Sequence, residues 1–265
     1  MHQIPQRSPR TAVILAAGAG SRLLPHTAHA PKCLTAIGGY PILQYQIAAL
    51  RECGIDEIVM VVGYLPHCIR QFARDAVTYV DNPDFASTNS SHSLWLAREH
   101  LRGGYIHLNS DLLFEPEMLR ALLDSPHENA VVVQRTVRPA SDMMKARMDG
   151  ARIREMSKRL GDGAVAEVIG PAKFGRDGAA RLIDALDRLE GAGERNRWAY
   201  AIFGEIADDL AFTGVDNPGC FWAEVDTVAD ARDAARRIPE RLVECAERAG
   251  TRGAGLGARQ RTTAV

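Results

Sequence analysis

No apolar run in this sequence approaches the roughly 20 residues that a membrane-spanning helix requires, and the opening MHQIPQRSPR lacks the apolar centre of a signal peptide. The five cysteines form no C-x-x-C pair and have no metal-ligand spacing. The formal net charge of −1 gives no reason to expect nucleic acid or an anionic membrane surface as a partner. Together these absences predict a reduced, cytoplasmic protein that binds neither membrane nor nucleic acid.

Lysine is also scarce, because Lys32, Lys145, Lys158 and Lys173 are the only four lysines among the 32 basic residues. Arginine presents a planar fork of donors, whereas lysine presents a compact ammonium group. In a chain that otherwise uses arginine, a lysine is a candidate for a position that needs a point charge. Alternatively, any one of these lysines could lie on a solvated face by chance and have no special role. Lys32 differs from the other three because it lies in a motif described below.

Strand-like and helix-like segments alternate along the first half of the 265 residues. We predict strands at 11–17, 57–62, 77–80, 105–109 and 130–134, and helices at 41–53, 65–76, 89–101 and 115–123. This alternation predicts an α/β fold in which a mostly parallel sheet carries helices on both faces. Ligands of such sheets bind at the carboxyl ends of the strands. The loop after the first strand, the Asp111 region and segment 82–91 are therefore expected to meet at one rim.

The second half has a different pattern. Segments 144–148 and 151–158 flank Asp149-Gly150, a strong two-residue turn signal, and predict a hairpin. A strand at 164–174, a helix at 177–189, a strand at 220–225 and a helix ending at Arg237 follow. We divide the chain into a flexible N-terminus (1–10), a single domain (11–250, with halves 11–135 and 136–250) and a disordered tail (251–265), because the tail is rich in Gly and Arg and has little to bury.

The stretch LAAGAGSRLLPHTAHAPKCL, from Leu15 to Leu34, follows the first predicted strand. Its small residues let backbone N–H groups approach an anion closely, and Arg22 and Lys32 add two positive charges. These features predict a loop that grips a polyphosphate. A G-x-G pattern alone would fit a plain strand-to-helix turn equally well.

Two well-known phosphate loops are excluded. A P-loop needs Gly-Lys-Ser/Thr, but Ser21 and Arg22 follow Gly20. A dinucleotide-binding loop needs a small residue where Leu23 stands and an acidic residue near the end of the second strand, which here reads Val61-Val-Gly. The long pattern LAAGxGSRLxPxTxxxPKxL instead resembles the signature of the sugar-phosphate nucleotidyltransferase superfamily.

That resemblance implies a Rossmann-like three-layer αβα sandwich, the nucleotide-diphospho-sugar transferase fold, with a mostly parallel mixed sheet and a small acceptor-binding β/α subdomain in the second half. It also implies that Arg22 and the loop amides hold the β- and γ-phosphates of a nucleoside triphosphate, while Lys32 acts on the α-phosphate. Both residues are predicted to be catalytic. The implied nucleotide-binding residues are Leu15, Ala16, Ala17, Gly18, Ala19, Gly20, Ser21, Arg22, Lys32, Asn82, Asn89, Ser90 and Asp111.

Within the superfamily, the sequence most resembles the phosphocholine cytidylyltransferase group. The matching pieces are N-P at 82–83, T-N-S at 88–90, S-L-W at 93–95, M-S-K at 156–158 and W-A-E-V-D-T at 222–227. This resemblance implies CTP as the donor, with Asn82, Asn89 and Ser90 near the base. The same three residues could equally form a turn and a helix cap.

Asp111 and Asp226 each follow a predicted strand. Mg²⁺ bound by one or two carboxylates is the usual way to neutralise a reacting triphosphate. Either aspartate alone could be an ordinary helix N-cap. As a pair they resemble the superfamily's metal ligands, so we expect Mg²⁺ as the cofactor.

The acceptor site is predicted in the second half. A quaternary ammonium group would need an aromatic cage with a carboxylate, and Trp198, Tyr200, Phe174 and Trp222 with Glu205 or Glu224 could supply one, although aromatics are often core residues. The W-Y-x-E pattern of the group is altered to Trp198-Ala-Tyr-Ala, without the carboxylate. The lysines of this half instead favour an acceptor with a phosphate, phosphonate or carboxylate and no cationic head. The predicted acceptor-binding residues are Lys145, Lys158, Glu167, Lys173, Trp198, Tyr200 and Trp222.

The resulting hypothesis is a Mg²⁺-dependent cytidylyltransferase that transfers CMP from CTP to a small phosphorylated or phosphonate acceptor and releases pyrophosphate. The partners are then CTP and that acceptor, and a homodimer is considered as an assembly. One alternative is a sugar-1-phosphate nucleotidyltransferase that uses GTP, UTP or dTTP. Another is a catalytically inactive domain that senses a nucleotide or metabolite.

Overall fold

The computed structural model describes residues 9–136, 139–140, 143–161 and 163–252. The predicted flexible N-terminus and disordered tail fall outside these residues, apart from 9–10 and 251–252. Within the described residues, no helix combines the length and the apolar character needed to cross a membrane. All five cysteines carry free thiols.

Thirteen strands and eight α-helices form along the described chain. The strands are β1 (Thr11–Ala16), β2 (Ala36–Ile37), β3 (Tyr40–Pro41), β4 (Glu57–Val62), β5 (Thr78–Asp81), β6 (Tyr105–Asn109), β7 (Leu112–Phe114), β8 (Ala130–Arg135), β9 (Lys145–Asp149), β10 (Arg152–Ser157), β11 (Ala166–Phe174), β12 (Thr213–Asp216) and β13 (Trp222–Glu224). The helices are α1 (Ile42–Glu52), α2 (Pro66–Ala73), α3 (Ser90–Leu96), α4 (Pro116–Asp124), α5 (Arg176–Gly191), α6 (Ala199–Glu205), α7 (Val228–Arg237) and α8 (Glu240–Arg252).

Nine strands form one mixed sheet in the order β5-β4-β1-β6-β11-β8-β12-β10-β9. The strands β5, β4, β1 and β6 run parallel to one another, as predicted. Strand β11 is antiparallel to both β6 and β8, and the β9–β10 hairpin is also antiparallel. The second half therefore adds its strands to the central sheet itself, where β12 runs parallel to β8 and the other added pairings are antiparallel.

Alternating side chains of the strands divide the core between the two faces of this sheet. In β1, Val13 and Leu15 face a cluster with residues of α3, α5 and α6, whereas Ala12 and Ile14 face a cluster with α1, α2 and α4. Such a strand, buried on both faces, is read from the sequence as a continuous apolar run. The predicted helices on both sides of the sheet are confirmed.

The sequence prediction lacked the short strands β2, β3 and β7, and it also lacked α6, β12 and α8. Helix α6 has only seven residues, and β12 has four, including a glycine and an aspartate that disfavour strands. Helix α8 packs on α1, where Gln44 donates to the carbonyl of Ala246 at 2.8 Å. A third cluster lies between α1, α7 and α8 and includes Tyr45 and Leu242. This cluster holds the end of the described chain against the first helix.

His107 in β6 lies fully buried among aromatic rings, with the ring centroids of Tyr200 and Phe203 at 5.2 and 5.1 Å. Burial lowers its pKa from an ordinary 6.5 to about 3. The unfolded chain takes up this proton at a higher pH than the folded chain does. The contribution of neutral His107 to the free energy of unfolding is therefore fully present above about pH 6.5, and it is lost progressively as the pH falls from there toward 3.

We expect acid to reduce the free energy of unfolding through His107 by about 1.4 kcal/mol per pH unit within that window. The variant His107→Phe should show a shallower pH dependence in urea unfolding between about pH 6 and pH 4. His127→Phe, at an exposed position, is the matched control. Equal slopes in the wild type and His107→Phe would contradict the prediction.

Candidate active site

A cavity of about 570 Å³ opens at the carboxyl ends of β1, β5 and β6. It is lined by the loop after β1, by segment 82–93 and by residues 109–111, so the predicted meeting of these segments at one rim is confirmed. Residues of the second half, including Val168, Gly170 and Trp198, complete the opposite wall. The cavity therefore lies between the two halves of the chain.

The loop after β1 is held in a fixed shape by its own residues. Gly20 adopts a left-handed conformation with φ of 60°, and a Cβ atom there would lie 3.0 Å from the Cβ of Lys32. The hydroxyl of Thr27 donates to the carbonyl of Gly20 at 2.9 Å, and the hydroxyl of Tyr64 donates to the carbonyl of Thr27 at 2.9 Å. Glycine is therefore required at position 20 because Lys32 turns back over the loop.

Gly63 occupies a second crowded position, directly after β4. A Cβ atom here would lie 2.6 Å from the Cβ of Phe85 and 2.8 Å from the carbonyl oxygen of Ala17. That carbonyl accepts the N–H of Tyr64 at 2.9 Å. Phe85 lines the cavity, so the missing side chain at Gly63 allows an aromatic ring to form part of the wall beside β1.

We expect Gly63→Ala to lower the free energy of unfolding by about 1–3 kcal/mol, because neither the backbone of β1 nor Phe85 can withdraw without disturbing packing. Gly103→Ala is the control, since no atom lies within 4 Å of a Cβ built there. Denaturant unfolding of both variants measures the difference. A Gly63→Ala protein as stable as Gly103→Ala would show that the wall can move freely.

A two-stranded ribbon outside the main sheet brings the candidate metal ligands together. Strand β13 pairs antiparallel with β7, with Glu224 opposite Leu112. The N–H of Val225 donates to the carbonyl of Asp111 at 3.0 Å. Carboxylate oxygens of Asp111, Glu224 and Asp226 consequently lie within 4.8 Å of one another. Pairing of two short strands thus joins residues separated by more than a hundred positions.

Two cations of the loop lie against these carboxylates. The ammonium of Lys32 donates to Asp111 Oδ2 at 2.6 Å and also to Asp226, and the guanidinium of Arg22 donates to Asp226 Oδ2 at 2.6 Å. Burial alone would lower the pKa of Lys32, but the two aspartates outweigh burial and raise this pKa above its usual value. Burial opposes ionisation of Asp226, yet Lys32 and Arg22 hold the pKa of Asp226 below its usual value. Lys32 is therefore a charged ammonium at neutral pH.

The third carboxylate behaves differently. Burial, followed by the nearby charges of Asp111 and Asp226, raises the pKa of Glu224 to about 7. In addition, Asp111 Oδ1 is buried without a hydrogen-bond partner. A dense set of carboxylate oxygens with an unsatisfied member is suited to a hard divalent cation, which would relieve the repulsion among the three groups.

The wall of the cavity that the second half contributes contains Trp198, Tyr200 and Lys158. Trp198 is 48% exposed, and the ammonium of Lys158 lies 5.0 Å from its ring centroid. Tyr200 is buried and its hydroxyl donates to the carbonyl of Gly170. The indole face is therefore covered by a lysine of the protein itself, and these side chains do not form an aromatic cage around an open space.

Two of the lysines predicted to bind the acceptor lie outside the cavity lining. Lys173 is buried on the far side of β11, where its ammonium donates to the carbonyls of Leu123 at 3.4 Å and Ser125 at 2.9 Å. Burial lowers its pKa to about 8. Lys145 is also buried, and its ammonium donates to the carbonyl of Lys158 at 2.8 Å. Neither side chain lines the cavity, because both cap backbone carbonyls within the fold.

Other predicted residues also lie outside the cavity lining. Glu167 accepts the N–H of Ala140 at 2.6 Å, and Phe174 is fully buried between aromatic rings of the core. Trp222 contacts the core beside α1 and lines a neighbouring cavity of about 300 Å³ that shares Glu224 and Asp226 with the larger one. Ala16 faces the core and Ala19 faces solvent. The remaining predicted nucleotide-binding residues all line the cavity.

Asn82 lines the cavity but uses its side chain to shape the wall. Its amide nitrogen donates to Thr88 Oγ1 at 3.2 Å and Ser93 Oγ at 3.0 Å, and its Oδ1 accepts the N–H of Asp84 at 3.0 Å. Asn89 caps α3, as its Oδ1 accepts the N–H of Ser90 at 2.8 Å. Asn82 and Asn89 therefore form the turn and the helix cap that the sequence offered as an alternative to base contacts, and both lie in the wall of the cavity.

Sequence reasoning missed several lining residues. Phe85, Asn109, Met143 and Val168 gave no motif signal. Glu224 was considered only as a partner of an aromatic cage, yet the two-residue period of a strand places it on the same side as Asp226. That period was the signal that could have identified it as the third carboxylate.

Known proteins resemble this chain over most of its length. A family model described as a MobA-like NTP transferase domain matches residues 12–205. The chain is 35% identical over 252 residues to a CMP-5′-(3-aminopropyl)phosphonate synthase of Streptomyces rubellomurinus, covering 88% of this chain but only 40% of that relative. It is 28% identical over 198 residues to a CTP:phosphoglutamine cytidylyltransferase of Campylobacter jejuni, covering 68% of this chain and 78% of that relative.

Solved structures show the same fold. The CTP:phosphocholine cytidylyltransferase of Streptococcus pneumoniae aligns with a TM-score of 0.73 at 21% identity, covering 87% of this chain and 100% of that one. The inositol-1-phosphate CTP transferase of T. maritima aligns with a TM-score of 0.71 at 20% identity, covering 91% of this chain and 96% of that one. Since the family model covers most of the described residues, the chain belongs to the family of MobA-like NTP transferase domains.

Proposed function

We propose that this protein is a Mg²⁺-dependent cytidylyltransferase that transfers CMP from CTP to a small phosphonate or phosphate acceptor and releases pyrophosphate. The observation that carries the proposal is the position of Lys32, whose ammonium joins the glycine-rich loop to Asp111 and Asp226 inside the cavity. A loop for polyphosphate, a charged lysine and a carboxylate cluster are the parts that nucleotidyl transfer needs.

The choice of CTP rests on the relatives. The names of the Streptomyces and Campylobacter relatives and of the pneumococcal structure all contain CMP or CTP. A 2-aminoethylphosphonate cytidylyltransferase of Lancefieldella rimae is 28% identical over 83% of this chain. Their acceptors carry a phosphonate or a phosphate, and the same class of acceptor is proposed here.

In the proposed reaction, an oxygen of the acceptor's phosphate or phosphonate attacks the α-phosphorus of CTP. A new P–O bond forms while the bond from the α-phosphorus to the bridging oxygen breaks, and pyrophosphate leaves with that electron pair. The attacking oxygen is already anionic near neutral pH, so no side chain is required as a general base. Catalysis then depends on positioning and on stabilisation of the charge that develops.

The residues of the cavity have separate roles in this proposal. Arg22, 61% exposed, and the amides after Gly18 hold the outer phosphates, while Lys32 stabilises charge on the α-phosphate. Asp111, Glu224 and Asp226 would hold Mg²⁺, which supplies charge neutralisation to the triphosphate. When nucleotide and metal bind, Lys32 exchanges its present carboxylate partners for phosphate oxygens.

On the acceptor wall, Lys158 provides the positive charge. Trp198 is covered by this lysine, which disfavours a quaternary ammonium head at the indole. Phosphonates and phosphates without such a head are therefore the first acceptors to test.

The experiment measures pyrophosphate release from CTP, GTP, UTP and dTTP, each with Mg²⁺ and with 2-aminoethylphosphonate, 3-aminopropylphosphonate, phosphocholine, inositol 1-phosphate or glucose 1-phosphate. The proposal expects CTP to be preferred and phosphonates to exceed phosphocholine. A preference for another triphosphate together with a sugar 1-phosphate would replace it with a sugar nucleotidyltransferase. Binding of CTP without turnover on any acceptor would instead indicate a sensing domain.

A further inference from the structure

The segment Glu194–Trp198, which connects α5 to α6, runs along the N-terminal end of α3. Backbone N–H groups of Asn89 and Ser91 donate to the carbonyls of Arg195 and Arg197 at 2.9 and 3.0 Å. On the same side, Ser90 Oγ accepts the N–H of Ala199 at 2.8 Å. We call residues 194–198 the strap, because these bonds tie it to segment 89–91.

A second set of contacts holds the strap at its outer edge. Glu190, near the end of α5, lies 2.9 Å from His92 Nδ1 through its Oε2 and forms an ion pair with Arg195 through its Oε1. The side chains of His92 and Glu190 are only 3% and 11% exposed. Asn89 also donates to the side chain of Asn196 at 3.3 Å. The strap is therefore attached to α3 by backbone, hydroxyl and charged groups together.

The two ends of this arrangement lie on different walls of the cavity. Asn89 and Ser90 line the wall assigned to the nucleotide, and Trp198, the last residue of the strap, lines the wall assigned to the acceptor. Glu190 and residues 194–197 do not line the cavity. A change at segment 89–90 can thus reach Trp198 through residues 194–197 without a ligand touching those four residues.

We propose that the strap couples the two ligand sites, so that nucleotide bound at Asn89 and Ser90 orders Trp198 and strengthens acceptor binding. The identity of the two ligands rests on the proposed function. Residues 194–196 are exposed and belong to no helix or strand, which are the features of a segment with low local stability. Nucleotide contacts that immobilise Asn89 and Ser90 reduce the ordering that the acceptor must later impose.

The proposed coupling between the nucleotide and acceptor sites is positive, so each ligand strengthens binding of the other. Coupling between two sites is typically about 5- to 150-fold in affinity, and it acts equally in both directions. Glu190 and Arg195 are positioning residues in this scheme, since they act on Trp198 through the strap. Their loss should reduce the response of the strap to nucleotide, while the affinity for nucleotide measured without acceptor stays close to that of the wild type, since neither residue lines the cavity.

The test uses hydrogen exchange of the full chain with Mg²⁺ and the non-hydrolysable analogue α,β-methylene-CTP, while calorimetry measures binding of the analogue. In the wild type, the amides of the strap and of Ala199 should exchange at least about fivefold more slowly when the analogue is bound. In Glu190→Ala and Arg195→Ala most of this protection should disappear. Glu99→Gln, which removes an exposed ion pair with Arg102, is the control and should behave as the wild type.

Arg195 is exposed, so Arg195→Ala keeps the test valid if Glu190→Ala does not fold. Unchanged strap exchange in a wild-type protein that binds the analogue would overturn the coupling and leave the proposed function intact. Full protection retained in Arg195→Ala would also overturn it. Failure of the wild type to bind the analogue would overturn the proposed function and, with it, the coupling.

Discussion

Replacing Lys32 with methionine is expected to lower kcat for CTP turnover by about a thousandfold. Loss of a single preorganised donor to a developing oxyanion typically costs about 2.7–4 kcal/mol of transition-state stabilisation, and Lys32 carries a full charge into a site where its side chain is only 12% exposed. Arginine is not expected to restore activity, because a planar guanidinium cannot occupy the place of a compact ammonium beside Gly20.

Steady-state pyrophosphate release at saturating CTP measures this effect. Lys173→Met is the matched control, since Lys173 is buried outside the cavity and its loss acts on stability. The same experiment has a second readout, because the ammonium of Lys32 now lies against both aspartates. Mg²⁺ should bind the Lys32→Met protein more tightly than the wild type in the absence of nucleotide. If turnover by the Lys32→Met protein stayed within tenfold of the wild type, Lys32 would not be a catalytic residue.

The second large effect is expected for the carboxylates. Asp111→Asn and Asp226→Asn should each reduce turnover by about a hundredfold or more, and raise the Mg²⁺ concentration required for half-maximal rate, since a neutral amide neutralises less of the cation's charge. Asp226→Asn should in addition weaken the contact with Arg22. Because asparagine has nearly the same shape as aspartate, the loss of turnover measures the contribution of the carboxylate's negative charge.

Asp233→Asn provides the control, because Asp233 pairs with Arg236 and Arg237 on the surface of α7. Rates measured over a series of Mg²⁺ concentrations separate a loss of metal affinity from a loss of catalysis. Higher Mg²⁺ should restore part of the activity of Asp111→Asn. An Asp111→Asn enzyme with the Mg²⁺ dependence of the wild type would show that another group holds the cation.

The cavity wall that the first half contributes could be predicted from the sequence because local patterns determine it. The first strand, the loop after it and the strand Glu57–Val62 are contiguous segments with strong apolar runs or a long motif. Asp111 and Asp226 were nominated in the same way, since each shortly follows a strand. That they share one lysine depends on the pairing of β7 with β13, which no local pattern reveals.

The wall that the second half contributes was harder to predict, because tertiary packing decides which of its residues reach the cavity. Lys145, Lys158 and Lys173 look alike in the sequence, yet only Lys158 reaches the cavity. The others satisfy backbone carbonyls inside the fold, a role that leaves no pattern. Aromatic residues posed the same difficulty, since Phe174 packs in the core while Trp198 stands in the cavity.

Strand β11 comes from the second half of the chain but lies between β6 and β8 of the first half. The two halves are therefore interleaved in one sheet, and neither can be exchanged as a module. Replacing 136–250 with the corresponding part of a relative would replace a central strand together with its register against His107 and Val131. Transfer of acceptor preference between relatives should therefore proceed by substituting individual wall residues, with β11 left in place.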